Sequence, residues 1–248
     1  MTLPVLLIRP ADNDVDREEL SRRGISVVEC PLLRVETLAD AAGAMKMIEH
    51  LVPGHWLTAV SGNAIRSLTE LVGVEKLRRL VSSGVKCAAV GEATAQHLVG
   101  LGAEHVVVPE RNDAAALADA LVELEPNGTA VIPKGNLAMA TLPSVLRTAG
   151  WTVYSEIVYR ILEITEPPEI LDQLEQGDFA AIVVRSPSAA RALARWVGPS
   201  APPVVCAGQT TAIAIREAGM KEAAVARSAR PKDIADAVAA VIEEVTRA

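Results

Sequence analysis

The sequence predicts an α/β protein with parallel sheets, organised as two related units. Three observations carry this. Short runs that are apolar at every position alternate with longer stretches of helical periodicity. Such runs suit strands covered on both faces, not half-exposed antiparallel ones. The same order of motifs also occurs twice along the chain. Strand–helix alternation sustained over a whole chain is the pattern of a parallel sheet with helical crossovers.

Taken in order, Val5-Leu6-Leu7-Ile8 is the first buried strand, a helix follows over Asp16 to Arg23, and Val27-Val28 is the second strand. Leu57 to Val60, Cys87 to Val90 and Val106-Val107-Val108 come next, before a helix over Ala114 to Glu123. Ala130-Val131-Ile132, Val153-Tyr154, Ala181 to Val184, Val204-Val205-Cys206 and Ala223-Ala224-Val225 complete the strands. The closing helix, Asp233 to Val245, carries Ile234, Val238, Val241, Ile242 and Val245 as one apolar stripe.

The repeat runs through these elements. Gly24 to Pro31 aligns with Gly150 to Ile157, 126 residues on, and Ser61-Gly62-Asn63-Ala64 aligns with Ser186-Pro187-Ser188-Ala189, 125 residues on. Gly91-Glu92-Ala93-Thr94 aligns with Gly208-Gln209-Thr210-Thr211 at a spacing of 117, which continues through Gly102 and Gly219. Two short extended stretches, Pro31 to Thr37 and Tyr159 to Pro168, occupy equivalent repeat positions and read as crossings between domains. The expected domains are therefore residues 1–33 together with 166–248, and residues 38–158, with linkers at 34–37 and 159–165.

Composition narrows the function. With 248 residues, half of them hydrophobic, the chain has apolar material for one large core or two smaller ones, and disorder is excluded. Cys30, Cys87 and Cys206 are far apart and form no C-x-x-C pair, which argues against a disulfide framework or a structural zinc. Net charge −7 without a basic stripe argues against nucleic acid, and an aromatic content of 2% leaves no stacking platform for bases. No run reaches the roughly 18 apolar residues that span a bilayer. Met1 to Pro10 reads as a short strand and not a secretory leader, so the expected location is cytoplasmic.

In open parallel sheets, ligands bind beyond the carboxyl ends of strands, where helix amino termini point. Ser61, Ser186, Gly91 and Gly208 each follow a strand and precede a helix, and Thr94, Thr210 and Thr211 follow the two glycines. Singly, each is an ordinary cap or turn. Four at matched repeat positions point to a shared anion-binding cleft, lined by backbone N–H groups and capping hydroxyls at Ser61, Ser186, Thr94 and Thr211. Arg9, Lys134 and Arg185 stand at strand ends on the same rim and could pair with ligand carboxylates. Tyr159 stands out because tyrosine occurs only at positions 154 and 159; it is either a hinge-packing residue or a functional one. His50, His55, His97 and His105 lack metal-ligand spacing and read as surface or turn residues. No phosphate-loop, dinucleotide or G-x-S-x-G motif appears.

These segments resemble the uroporphyrinogen-III synthase family. Ser61-Gly62-Asn63-Ala64-Ile65 resembles its T-S-x-N-A-V signature, and Val90-Gly91-Glu92-Ala93-Thr94-Ala95 and Ala207-Gly208-Gln209-Thr210-Thr211-Ala212 resemble its two V-G-x-x-T-A loops. Ser186-Pro187-Ser188-Ala189 is similar to its S-P-S loop, and Gly150 to Tyr159 to its G-x-x-V…Y segment. The resemblance covers essentially the whole chain, in order. It implies two flavodoxin-like domains with parallel sheets joined by a two-stranded linker. It also implies a cofactor-free lyase that closes hydroxymethylbilane to uroporphyrinogen III, losing water and inverting the last pyrrole ring. Tyr159 is then the catalytic hydrogen-bond donor, and Ser61, Gly62, Asn63, Gly91, Thr94, Lys134, Arg185, Ser186, Ser188, Gly208, Thr210, Thr211 and Arg9 contact the substrate. The expected partner is that small molecule, bound by a monomer. Lys134 stands where the family commonly has arginine, an arginine is missing near Met139-Ala140, and Arg185 replaces the usual threonine or phenylalanine. The alternatives are a two-lobed binding module and a regulatory protein that keeps the fold without catalysis.

Overall fold

A computed structural model describes residues 3–9, 13–198 and 201–247; Met1, Thr2 and Pro10 of the predicted opening stretch lie outside the described residues. The chain divides into two compact units, Met1–Arg34 with Leu162–Ala248, and Val35–Ile161.

In the first unit the strands are β1 (Val5–Leu7), β2 (Val27–Glu29), β9 (Ala181–Val184), β10 (Val204–Cys206) and β11 (Glu222–Val225). They form one sheet in the order β2-β1-β9-β10-β11, with every described pairing parallel. Side chains alternate across a strand, so an apolar run supplies both faces. Val5, Leu7, Val183 and Val205 pack on Leu20 of α1 (Asp14–Ser21) and on Ile234, Val238 and Val241 of α11 (Pro231–Arg247). The alternate residues Leu6, Ile182, Val184 and Cys206 are equally buried on the opposite face. The helices α8 (Leu171–Gln176), α9 (Pro187–Leu193) and α10 (Gln209–Glu217) complete the unit.

In the second unit β3 (Leu33–Thr37), β4 (Trp56–Ala59), β5 (Lys86–Ala89), β6 (Val106–Val107), β7 (Thr129–Gly135) and β8 (Thr152–Glu163) lie in the order β3-β8-β7-β4-β5-β6. Leu57, Ala59, Cys87, Ala89 and Val131 share a core with α2 (Ala42–Ile48), α3 (Gly62–Val72), α4 (Val74–Ser82) and α5 (Glu92–Val99). Trp56, Ala88, Ala130 and Ile132 face the other way, onto α6 (Ala114–Leu124) and α7 (Thr141–Thr148). Trp56 and Trp151 sit together in that second layer with ring centroids 6.4 Å apart, whereas Trp196 belongs to the first unit.

With β3 set aside, β8-β7-β4-β5-β6 repeats β2-β1-β9-β10-β11, with β7 and β8 standing for β1 and β2. The motif repeat is thus a repeat of sheet topology: counted along its own chain the first unit has the doubly wound order 2-1-3-4-5, and the second, β3 apart, is its circular permutation 5-4-1-2-3. Gly24 and Gly150 match because both turn a helix into the next strand at φ +72° and +87°, a region costly to any residue with a Cβ.

The stretches expected as linkers are themselves strands. The Leu38 N–H donates to the Val158 carbonyl and the Ile164 N–H to the Leu32 carbonyl, so β3 and β8 run antiparallel through the segments where the chain passes between units. Among the described residues no helix is long and apolar enough to cross a membrane.

Candidate active site

In each unit the carboxyl ends of the strands carry the predicted residues. In the second unit β4 ends at Ala59 and the backbone reaches Ser61 in an extended conformation. Ser61 caps α3, its Oγ accepting from the Ala64 N–H at 3.2 Å. On the neighbouring strand β7, Lys134 pairs with Ile157 of β8, but Gly135 pairs with Tyr159, so β8 bulges past Val158. That extra residue re-aims Tyr159. Its phenol oxygen lies 3.0 Å from Ser61 Oγ, and the side chain is only 6% exposed. A Cβ on Gly135 would stand 2.5 Å from Tyr159 Cζ and 2.8 Å from its hydroxyl oxygen, so only glycine leaves room for the ring. The Asn136 N–H donates to the Tyr159 carbonyl, and the Ile161 N–H donates to Asn136 Oδ1, tying the loop after β7 to the tyrosine's strand.

Gly62 lies beneath His97: a Cβ there would come within 2.5 Å of the imidazole Nε2. Arg66 approaches that nitrogen at 3.5 Å and also donates to Asn63 Oδ1. His97, read from sequence as a surface or turn residue, is instead a half-buried packing partner of the first turn of α3. Gly91 is the N-cap of α5 without a side-chain cap, and Asn112 lies across it. Lys134 is half-buried and has no ion-pair partner among the described residues.

In the first unit Ser186 caps α9 by accepting from the Ala189 N–H at 3.2 Å, and its Oγ lies 3.0 Å from Ser188 Oγ. Pro187 opens that helix, where a missing N–H costs nothing. Gly208 begins α10 without a side-chain cap, and Thr210 beside it is exposed.

Two expectations are corrected by this geometry. Thr94 and Thr211 do not cap: each is buried, its own N–H donating to the carbonyl of Gly91 or Gly208, and the helix starts fall on those glycines. The threonines pack inward while the first-turn N–H groups stay uncapped by any side chain. Arg185 is not a free carboxylate partner. It donates to both oxygens of Asp16 at 2.6 and 2.8 Å and to the Ala229 carbonyl at 2.8 Å. Burial pushes the Asp16 carboxyl above its ordinary range, opposed by the charges of Arg185 and Arg9. Arg9, just beyond β1, is half-buried and shares that carboxylate's field.

Sequence reasoning missed Asp16 and Arg66. Asp16 resembles its neighbour Asp14 in sequence, and only the fold distinguishes the buried one from the exposed one. Among the described residues no three metal-ligating side chains cluster.

Comparisons with known proteins add the family. A family model described as uroporphyrinogen-III synthase HemD matches residues 14–236. No curated protein sequence matches the chain significantly. Among solved structures, a uroporphyrinogen-III synthetase from Helicobacter pylori aligns over 97% of this chain and 100% of its own, at 14% identity and a TM-score of 0.67. A mutant uroporphyrinogen III synthase from Thermus thermophilus aligns over 98% and 100%, at 17% identity and a TM-score of 0.61. At such identities the likeness is one of fold.

Proposed function

Because the chain belongs to the uroporphyrinogen-III synthase family, we propose that it cyclises hydroxymethylbilane to uroporphyrinogen III. The units are then read as flavodoxin-like, a reading supported by the strand order 2-1-3-4-5 of the first unit and its circular permutation in the second.

The carrying observation is the Ser61–Tyr159 hydroxyl pair, 3.0 Å apart at the carboxyl edge of the second sheet, whose neighbouring helix α5 starts without a side-chain cap. The chemistry asks for little more. An electron-rich pyrrole expels its hydroxyl readily when a hydrogen bond helps the oxygen leave, giving a delocalised azafulvenium cation. Attack by the substituted carbon of the last ring gives a spiro intermediate, which fragments and recloses with that ring inverted. The carbon–oxygen bond breaks, a ring carbon loses its proton, and one water leaves.

The protein's larger task is holding a flexible polycarboxylate in one reactive shape. Positioning of this kind lowers a barrier by roughly 7–11 kcal/mol. First-turn N–H groups of α5 and α10, the loops at Ser61-Gly62-Asn63 and Ser186 to Ser188, and the cations Arg9 and Lys134 are the proposed grips. Backbone donors of this kind bind carboxylates without formal charge, which reconciles a polyanionic substrate with a chain of net charge −7.

The test is a coupled assay supplying freshly made hydroxymethylbilane. Spontaneous closure gives the symmetric isomer I, so product dominated by isomer III is the expected result. Isomer I alone would reject the reading and leave a binding or regulatory protein.

A further inference from the structure

Resting on that reading, we infer that Ser61 is the catalytic residue that touches the departing hydroxyl, and that Tyr159 acts through it as a proton-supplying positioning residue. Hydrogen-bonding capacity assigns these roles. A serine hydroxyl has two acceptor sites and one donor. One acceptor site of Ser61 Oγ takes the Ala64 N–H at 3.2 Å. A phenol is a much stronger proton donor than an aliphatic alcohol, so in the 3.0 Å contact Tyr159 donates and Ser61 accepts. Both acceptor sites are then filled, and the Ser61 proton has no acceptor among the described residues.

Burial points the same way. Tyr159 is 6% exposed, its hydroxyl end pressed against Gly135 on one side and Ser61 on the other. Ser61 is only half-buried, so of the two hydroxyls it is the better placed to meet a ligand. The relay balances. As the substrate's carbon–oxygen bond breaks, the oxygen keeps the electron pair and takes the Ser61 proton. Ser61 takes the Tyr159 proton, and the phenolate lies beside the amino terminus of α3, where the helix dipole favours negative charge. The ring carbon that closes the macrocycle gives up its proton, which returns to the phenolate.

The test is a double-mutant cycle with hydroxymethylbilane as substrate and isomer III as readout. Ser61→Asn keeps a good helix cap but has no hydroxyl, and Ser61→Thr keeps both. Ser61→Asn is expected to lower kcat by about a hundredfold with KM altered by less than about threefold, the loss typical of a removed proton donor. Ser61→Thr is expected to restore most of that activity. Tyr159→Phe is expected to lower kcat by about tenfold or more in the Ser61 enzyme, and to have no further effect in the Ser61→Asn enzyme. Equal effects of Tyr159→Phe in both backgrounds would show that the phenol acts independently and overturn the relay. So would undiminished turnover in Ser61→Asn. A wild-type chain yielding only isomer I removes the proposed function itself, whereas isomer III with an additive cycle removes this inference alone.

Discussion

Gly135 has no side chain because the ring of Tyr159 fills the place where one would stand, 2.5 Å from the nearest ring carbon. The cost of a methyl there is therefore steric. Gly135→Ala is expected to destabilise the chain by about 1–3 kcal/mol, as overpacking does, and to lower turnover by displacing the phenol from Ser61. Urea denaturation and steady-state kinetics check the two halves, and a variant equal to wild type in both would show that the ring moves freely. A different residue contributes to acid behaviour. Glu125 accepts from Lys86 Nζ at 2.8 Å and from the Trp56 indole at 2.9 Å, and these bonds hold its carboxyl below the ordinary glutamate value. A carboxyl depressed on folding adds stability above its unfolded value, and that stability disappears as pH falls through the folded one. The stability gap between wild type and Glu125→Gln should accordingly narrow as the pH falls below the ordinary glutamate value of about 4.3, as followed by thermal melts. A constant gap would mean that the two bonds do not discriminate between charge states.

Helix starts show how the elements divide their work. Ser186 satisfies a first-turn N–H of α9, and Ser186→Ala is expected to cost about 1 kcal/mol of unfolding free energy by urea titration, the usual value of a lost cap. No loss would mean that water replaces the hydroxyl. The matched Ser and Gly positions were legible because caps and tight turns restrict residue type locally, and so were the apolar runs of β1, β4 and β9, buried on both faces. The strands β3 and the second half of β8 were not. Arg34, Glu36, Arg160 and Glu163 break any apolar run there, and their pairing partner lies more than a hundred residues away. The bulge that turns Tyr159 toward Ser61 has no local signature either, because it exists only relative to the register of β7. Thr94 and Thr211 misled for the opposite reason: threonine is a good cap, but here glycine holds the N-cap position and threonine the buried third residue of the helix. Arg185 looked available because its partner, Asp16, is 169 residues distant in sequence.

At the scale of the molecule, each unit has a core of its own. Among the described residues, those packed with Leu57, Cys87 and Val131 and with Trp56, Ala88 and Ala130 fall within Val35–Ile161, and those packed with Val5, Leu7, Val183 and Val205 fall in the other unit. A fragment comprising residues 35–161 carries its own two-faced core and is expected to fold alone, with one cooperative urea transition. A broad, non-cooperative transition would show that it depends on the remainder of the chain. The scarcity of aromatic residues lends the molecule an optical use. Of its three tryptophans, Trp56 and Trp151 report on one unit and Trp196 on the other. With Trp56 and Trp151 changed to phenylalanine, the surviving indole emission becomes a private signal of the discontinuous half, and with Trp196 changed instead it belongs to the other, so the loss of structure in each half can be watched without any attached dye.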